Sequence, residues 1–261
     1  MMEFSTFHNH TTYCDGSNTA EEMVQAAVAA GCPAFGFSGH SYTWFDESYC
    51  MSKEGTIAYR EEIRRLQEQY AGQIRILCGI EQDYWSEEST DGYDYVIGSA
   101  HYVLKNGHYL PVDDSPMDLM QGVSSQYNGD ILAFCEDYYR QMADMVKKTH
   151  CTFVGHFDLV TKFNEHEILF SQSDPRYVRA AESALDALCA QPVIFEINTN
   201  AVANGYRTAP YPAEPLLKRI RDRGGRVILS ADCHNVKNLV FGLETARKTA
   251  ESLGLSIVDT L

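Results

Sequence analysis

Short apolar or β-branched runs alternate along the chain with longer stretches whose apolar residues recur at helical spacing. The runs at Glu3–His8, Ala34–Ser38, Arg75–Ile80, Tyr95–Ala100, Thr152–Gly155, Val193–Ile197 and Arg226–Leu229 read as strands. Between them, Thr19 and Glu22 have capping-box spacing in front of MVQAAVAA, and Gly31 stands where a helix-ending left-handed residue belongs. Asp174-Pro175 opens a helix running to about Cys189, because Asp caps the free N–H groups and Pro is tolerated in the first turn. Further helical patterns cover Lys53–Tyr70, Gly129–Lys148, Pro212–Arg223 and Val236–Leu253.

Seven strands, most followed by a helix, imply right-handed crossovers and a parallel sheet, either closed into a barrel or left open. The polar residues favour the barrel. His8, His40, Glu81, His101, His156 and Asp232 all fall at or just past the C-terminal ends of strands, the face on which barrels carry chemistry. An open sheet would gather its site at one switch point between middle strands. No linker, repeat or low-complexity stretch divides the chain, so residues 1–261 read as one domain. Two longer loops look inserted on the same face: Ser41–Ser52, rich in aromatics, and Tyr102–Asn128, rich in Asp, Gly and Tyr.

Charge narrows the range of partners. The 261 residues hold 21 Lys+Arg against 36 Asp+Glu, a net −15, which disfavours a nucleic-acid groove because such binding draws on clustered cations. With 44% hydrophobic residues the chain can fill a core. No apolar run is long enough to span a membrane, and MMEFSTFHNH lacks the basic-then-apolar plan of a secretory leader, so a cytoplasmic location is expected. The eight cysteines form no CxxC pair and read as reduced, packed thiols. Oligomeric state leaves no trace in the sequence.

His8-Asn9-His10 puts two imidazoles on one side of an extended segment, where both can grip one ion. An isolated HxH identifies nothing, but here it heads a series: Asp15, His40 in SGHS, Glu81 in GIEQD, His101 in GSAH, His156 in GHFD, and Asp232 with His234 in SADCH. All nine are metal-ligand types. Six of the nine histidines belong to the series; His108, His150 and His166 stand outside it. Nine ligands exceed what one zinc-like ion accepts, so two or three divalent ions are expected. Nitrogen and oxygen donors without thiolate suit Zn, Mn or Fe.

The order HxH, D, H, E, H, H, DxH on a seven-stranded barrel resembles the polymerase and histidinol phosphatase (PHP) family of metal-dependent phosphoesterases. The resemblance covers nearly the whole chain. The phrases DYVIGSAHYV, FVGHFDLVTKF, FEINTNAV and ILSADCH are most similar to the stand-alone histidinol-phosphate phosphatases of that family. SADCH replaces the commoner SDAH while keeping both proposed ligands.

The resemblance implies a distorted TIM-like (β/α)7 barrel with a trinuclear centre. One ion would sit on His8, His10, Glu81 and Asp232, a second on Glu81, His101 and His156, a third on Asp15, His40 and His234. Three divalent ions, balanced by three carboxylates and a bridging hydroxide nucleophile, would carry about +2, matching the roughly −1.5 to −2 of a phosphomonoester near pH 7. Glu81 would bridge two ions and act in catalysis. Lys162 and Arg207 would bind the phosphate, Arg207 also in catalysis, and Asp158 would protonate the leaving alkoxide or orient His156. The expected substrate is L-histidinol phosphate. The alternatives are another small phosphoester, such as a nucleotide or phosphotyrosine, or a metal-binding module without activity.

Overall fold

The computed structural model describes residues 4–261, so the first residue of the expected strand Glu3–His8 lies outside the described residues. The capping box forms: Thr19 Oγ1 accepts from the Glu22 N–H at 3.3 Å and Glu22 Oε2 accepts from the Thr19 N–H at 2.8 Å. It starts α1 (Ala20–Ala29), which leads to β1 (Ala34–Phe37). Next come α2 (Lys53–Gln69), capped by Ser52, and the long β2 (Arg75–Asp83) and β3 (Tyr95–Ser99).

The chain then leaves the barrel plan. A hairpin of β4 (Tyr102–Lys105) and β5 (His108–Pro111) turns at Asn106-Gly107, both with positive φ as a tight primed turn needs. Ser115 caps α3 (Pro116–Tyr127), and α4 (Ile131–Thr149) returns the chain to β6 (Phe153–Val154). Asp174 caps α5 (Pro175–Cys189), followed by β7 (Ile194–Asn198), the short α6 (Asn200–Ala203), α7 (Glu214–Asp222), β8 (Arg226–Ser230), α8 (Leu243–Ser252) and β9 (Ser256–Ile257).

Seven strands form one curled sheet in the order β1-β2-β3-β6-β7-β8-β9, with every neighbouring pair parallel. The fold is α/β and TIM-like, distorted at its opening. There the N-terminal segment lies against both β1 and the end of β8, through single bridges of Thr6 to Phe35 and Asn9 to Cys233. It is not the regular strand expected. The Asn9 side chain donates to the Gly36 carbonyl at 2.7 Å and the Ser38 hydroxyl accepts from the Asn9 N–H at 3.0 Å, so side chains take places a ladder would fill. The seventh strand is β9, which sequence pattern did not reveal. The expected helix Val236–Leu253 is likewise broken, into one 3-10 turn at Val236–Asn238 and α8, with Gly242 at φ 71° between them. No described helix is long and apolar enough to cross a membrane, and all eight cysteines are free.

Two cores flank the sheet. Helices cover the outside, whereas Phe7, Ala34, Leu77, Tyr95, Ile97, Phe153, Ile194 and Ile228 pack together as a separate interior cluster. Tyr95 anchors that interior: its hydroxyl lies 2.6 Å from the Phe7 carbonyl and 2.7 Å from that of Phe37, tying β3 to the N-terminal segment and β1. Its ring needs bare backbone beside it, because a Cβ on Gly79 would lie 2.3 Å from the ring. Gly79→Ala is therefore expected to cost about 1–3 kcal/mol through overpacking. A urea titration should show a lower midpoint at unchanged slope; an unchanged midpoint would mean that the ring moves aside freely.

Candidate metal centre

The parallel strands deliver their C-terminal ends to one place. Glu81 lies in β2, His40 follows β1, His101 follows β3, His156 follows β6, and Asp232 and His234 follow β8. The N-terminal segment adds His8 and His10, and the turn after it adds Asp15. Gly16 makes that turn possible: a Cβ there would meet the Thr11 amide nitrogen at 2.4 Å.

Five imidazoles converge on the Glu81 carboxylate. His8 Nε2 lies 2.9 Å, His40 Nδ1 3.1 Å and His10 Nε2 3.4 Å from Oε2, while His156 Nε2 lies 3.0 Å and His101 Nε2 3.5 Å from Oε1. Ser99 Oγ donates to Oε1 at 2.5 Å. Asp232 Oδ1 reaches His10 Nε2 at 3.2 Å and His8 Nε2 at 3.5 Å. Asp15 sits between His40 Nε2 at 3.6 Å and His234 Nε2 at 3.3 Å. All nine sequence-picked side chains are thus brought together.

Four overlapping subsets have donor atoms close enough to share an ion: His10, Asp15, His40 and His234; His8, Glu81 and His156; His8, His10 and Asp232; and His40, Glu81 and His101. The chemistry of the set fits divalent ions, being imidazole nitrogen and carboxylate oxygen without thiolate. An independent sign is that buried His10 Nε2, the nitrogen turned to Asp232 and Glu81, makes no well-formed hydrogen bond, although buried polar atoms are normally paired.

Electrostatics shows how tightly these groups are coupled. Burial works against charge at Glu81 and Asp232, yet the surrounding imidazoles hold both carboxyls well below the usual carboxylate range. Burial would also lower His8, but Asp232, Glu196 and Glu81 outweigh it and hold the imidazole well above its ordinary value. His40 goes the other way, pushed down to about 3 by burial against the pull of Glu81 and Asp15. His101 and His234 rise to about 9: burial opposes this at both, overcome by Asp83 and Glu81 at the first and by Asp15 and Asp232 at the second.

Residues behind the cluster orient it. Glu196 Oε1 holds His8 Nδ1 at 2.6 Å, and its Oε2 accepts from the His156 N–H at 2.8 Å and from Asn198 Nδ2 at 2.9 Å. Asn198 Nδ2 also donates to Asp232 Oδ2 at 2.9 Å. Asp83 Oδ2 lies 3.2 Å from His101 Nδ1. Sequence reasoning missed Glu196 and Asn198 and left Asp83 without a role, though a signal existed. Glu81 and Asp83, like Glu196 and Asn198, are two apart on apolar strands and so share a face. Carboxylates that fix the ring of a ligating histidine typically matter 10–100-fold. Glu196→Gln should therefore weaken zinc retention by about that factor, measured by competition with a chromogenic chelator. Retention equal to the unaltered protein would reduce Glu196 to a packing residue.

A cavity of about 320 Å³ opens over the cluster, lined by Asp15, His40, Glu81, His101, His156, Asp232 and His234 on one side and by Tyr49, Tyr102, Asp113, Lys162, Tyr206 and Tyr211 among others. Lys162 is therefore part of the cavity wall. Asp158 and Arg207 are not part of that wall. Arg207 is drawn back by Thr161, to which it donates, by Asp158 and Glu165, each 3.8 Å away, and by the Tyr211 ring, 4.7 Å below its guanidinium. Asp158 is buried, accepts from the Ala213 N–H at 3.0 Å, and has its carboxyl raised by burial against the opposing pull of Arg207.

A parallel α/β barrel with imidazoles and carboxylates gathered at its strand ends belongs to the class of barrels suited to hold metal ions on that face. The PHP domain family matches residues 6–200, and the chain belongs to that family. Among its relatives, the histidinol-phosphatase of Bacillus subtilis is 26% identical over 261 residues, covering 91% of this chain and 96% of the relative. A candidate histidinol-phosphatase of Deinococcus radiodurans is 28% identical over 258 residues, covering 95% of this chain and 92% of the relative. The fold is similar to that of the histidinol phosphate phosphatase of Lactococcus lactis, solved with zinc, L-histidinol and phosphate (TM-score 0.73, 19% identity, 99% of this chain and 96% of that one).

Proposed function

We propose that the chain is a metal-dependent phosphomonoesterase that hydrolyses L-histidinol phosphate to L-histidinol and phosphate. The observation that carries this reading is the convergence of five imidazoles, all within 3.5 Å, on one buried carboxylate at the base of a cavity. Membership of the PHP family supports the reaction class. The names of the relatives, and the zinc, L-histidinol and phosphate of the Lactococcus lactis protein, support the substrate.

In this reading, His8, His10, Glu81 and Asp232 hold one ion, Glu81, His101 and His156 a second, and Asp15, His40 and His234 a third. The presence of Glu81 in two of the ligand subsets supports its bridging role, and the subset containing Asp15, His40 and His234 supports the third site. Bound divalent ions, of the Zn, Mn or Fe class, supply Lewis acidity and an ionised water near neutral pH. Everything else falls to the chain. Glu196 and Asp83 lock the His8 and His101 rings so that their nitrogens face inward. Lys162, on the cavity wall, holds the phosphate end of the substrate. Arg207, 3.8 Å from Asp158 and stacked on the Tyr211 ring, braces that wall. Residues 1–261 work as one domain, and eight unpaired thiols suit a reducing, cytoplasmic setting.

The test is phosphate release from L-histidinol phosphate and from 4-nitrophenyl phosphate by the metal-loaded protein, with a chelated control. The expected kcat/KM ratio is about 10³ in favour of histidinol phosphate, roughly 4 kcal/mol of transition-state discrimination. Equal, chelator-sensitive rates would retain the phosphomonoesterase class and refute the substrate.

A further inference from the structure

Apart from the histidines, Lys162 is the only cationic side chain among the described residues lining the cavity. It is held there in an unusual way. The ammonium donates to the Asp113 backbone carbonyl at 2.8 Å and to Asp113 Oδ2 at 3.0 Å, and it lies 5.1 Å from the centre of the Tyr206 ring. An ammonium has three N–H donors. Asp113 occupies two and leaves one. Asp113 itself is not free to wander, because the neighbouring Val112 N–H donates to the His101 carbonyl at 2.8 Å, which fastens the end of the β4–β5 hairpin to the metal side of the cavity.

We infer that Asp113 is a positioning residue: it clamps Lys162 through its carbonyl and carboxylate so that the third N–H stays directed to a substrate phosphate oxygen. The inference rests on the phosphomonoesterase reading above. Asp113 neutralises most of the attraction Lys162 would exert at a distance, so the pair supplies orientation in place of net charge. A free lysine carries four rotatable bonds, and fixing them before the substrate arrives removes an entropic cost from binding. It also gives the inserted hairpin a purpose, since Asp113, just past β5, supplies the hydrogen-bond acceptors of Lys162 among the described residues. A competing role for Asp113, gripping a cationic amine on the substrate through its other oxygen, is told apart by 4-nitrophenyl phosphate, which carries no amine.

The experiment is a double-mutant cycle with Asp113→Asn, Lys162→Ala and the pair, each metal-loaded and checked by thermal melting. Kinetics are read with both L-histidinol phosphate and 4-nitrophenyl phosphate. Each single change is expected to raise KM about tenfold or more on both esters with little change in kcat, and the double variant to be no worse than Lys162→Ala. Asp113→Glu, which keeps an acceptor, should recover part of the loss. Losses that multiply in the double variant, or a loss confined to histidinol phosphate, would overturn the clamp while leaving the phosphatase intact. Absence of wild-type turnover on either ester would overturn the phosphatase reading itself, and the clamp with it. Asp113→Ser serves the same cycle should Asp113→Asn fold poorly.

Discussion

Glu81→Gln is expected to lower kcat for phosphomonoester hydrolysis by about 10³ or more while leaving the fold intact. The substitution keeps shape and volume but exchanges a charge shared by five imidazoles for a neutral amide. Where Oε2 now accepts contacts of 2.9 Å from His8 and 3.1 Å from His40, the amide would present either a weaker acceptor or a donor facing other donors. Two proposed ion sites lose their common ligand at once, so neither the number of bound ions nor their spacing should survive. Circular dichroism should stay close to the parent and the melting curve close to that of the metal-free parent, because the interior packing around Tyr95 is a separate cluster. Metal content by elemental analysis should drop alongside activity. Turnover near that of the parent would refute the bridging role, and with it the three-ion assignment.

The second large effect is that of metal removal. Chelation should abolish turnover, and restoration should depend on pH in a defined sense. In the metal-free protein His101 and His234 are held at about 9, so both keep a proton at pH 7.5. An incoming ion must displace those protons, and the apparent affinity should rise from pH 6 to pH 8 with proton release on binding. Titration calorimetry in two buffers of different ionisation enthalpy measures that release directly. The sign for the metal-free fold is the reverse. Both folded values lie above the ordinary 6.5 of histidine, so their contribution to stability is complete below about 6.5 and is lost as pH rises through about 9. Metal-loaded protein should instead gain stability by mass action, about 4 kcal/mol at a thousandfold excess over the dissociation constant. Reactivation independent of pH would contradict the proton bookkeeping, and full activity after exhaustive chelation would remove metals from the mechanism.

Six of the nine clustered residues, His40, Glu81, His101, His156, Asp232 and His234, were legible because parallel strands all end on one face. Any polar residue placed just after a strand is carried to the same rim, whatever its distance in sequence. The helices that carried explicit terminators were legible as well: Thr19 and Glu22 at α1, Asp174-Pro175 at α5. The N-terminal strand was over-read because its apolar run looks regular, whereas Asn9 and Ser38 spend their side chains on backbone partners that no spacing rule exposes. Gly242 broke the last long helix at a position that pattern alone could not weigh, since a helix tolerates an isolated glycine.

The sequence by itself determined the α/β class, the parallel order of crossovers and the identity of the metal-ligand types, because hydrophobic period and strand-end placement are local properties. Tertiary structure alone decided which imidazoles share Glu81, that Glu196 stands behind His8, that Asp113 faces Lys162 and that Arg207 stacks on Tyr211. The first three are relations between residues from 20 apart in sequence, His101 and Glu81, to 188 apart, His8 and Glu196, and only the curl of the sheet sets their distances.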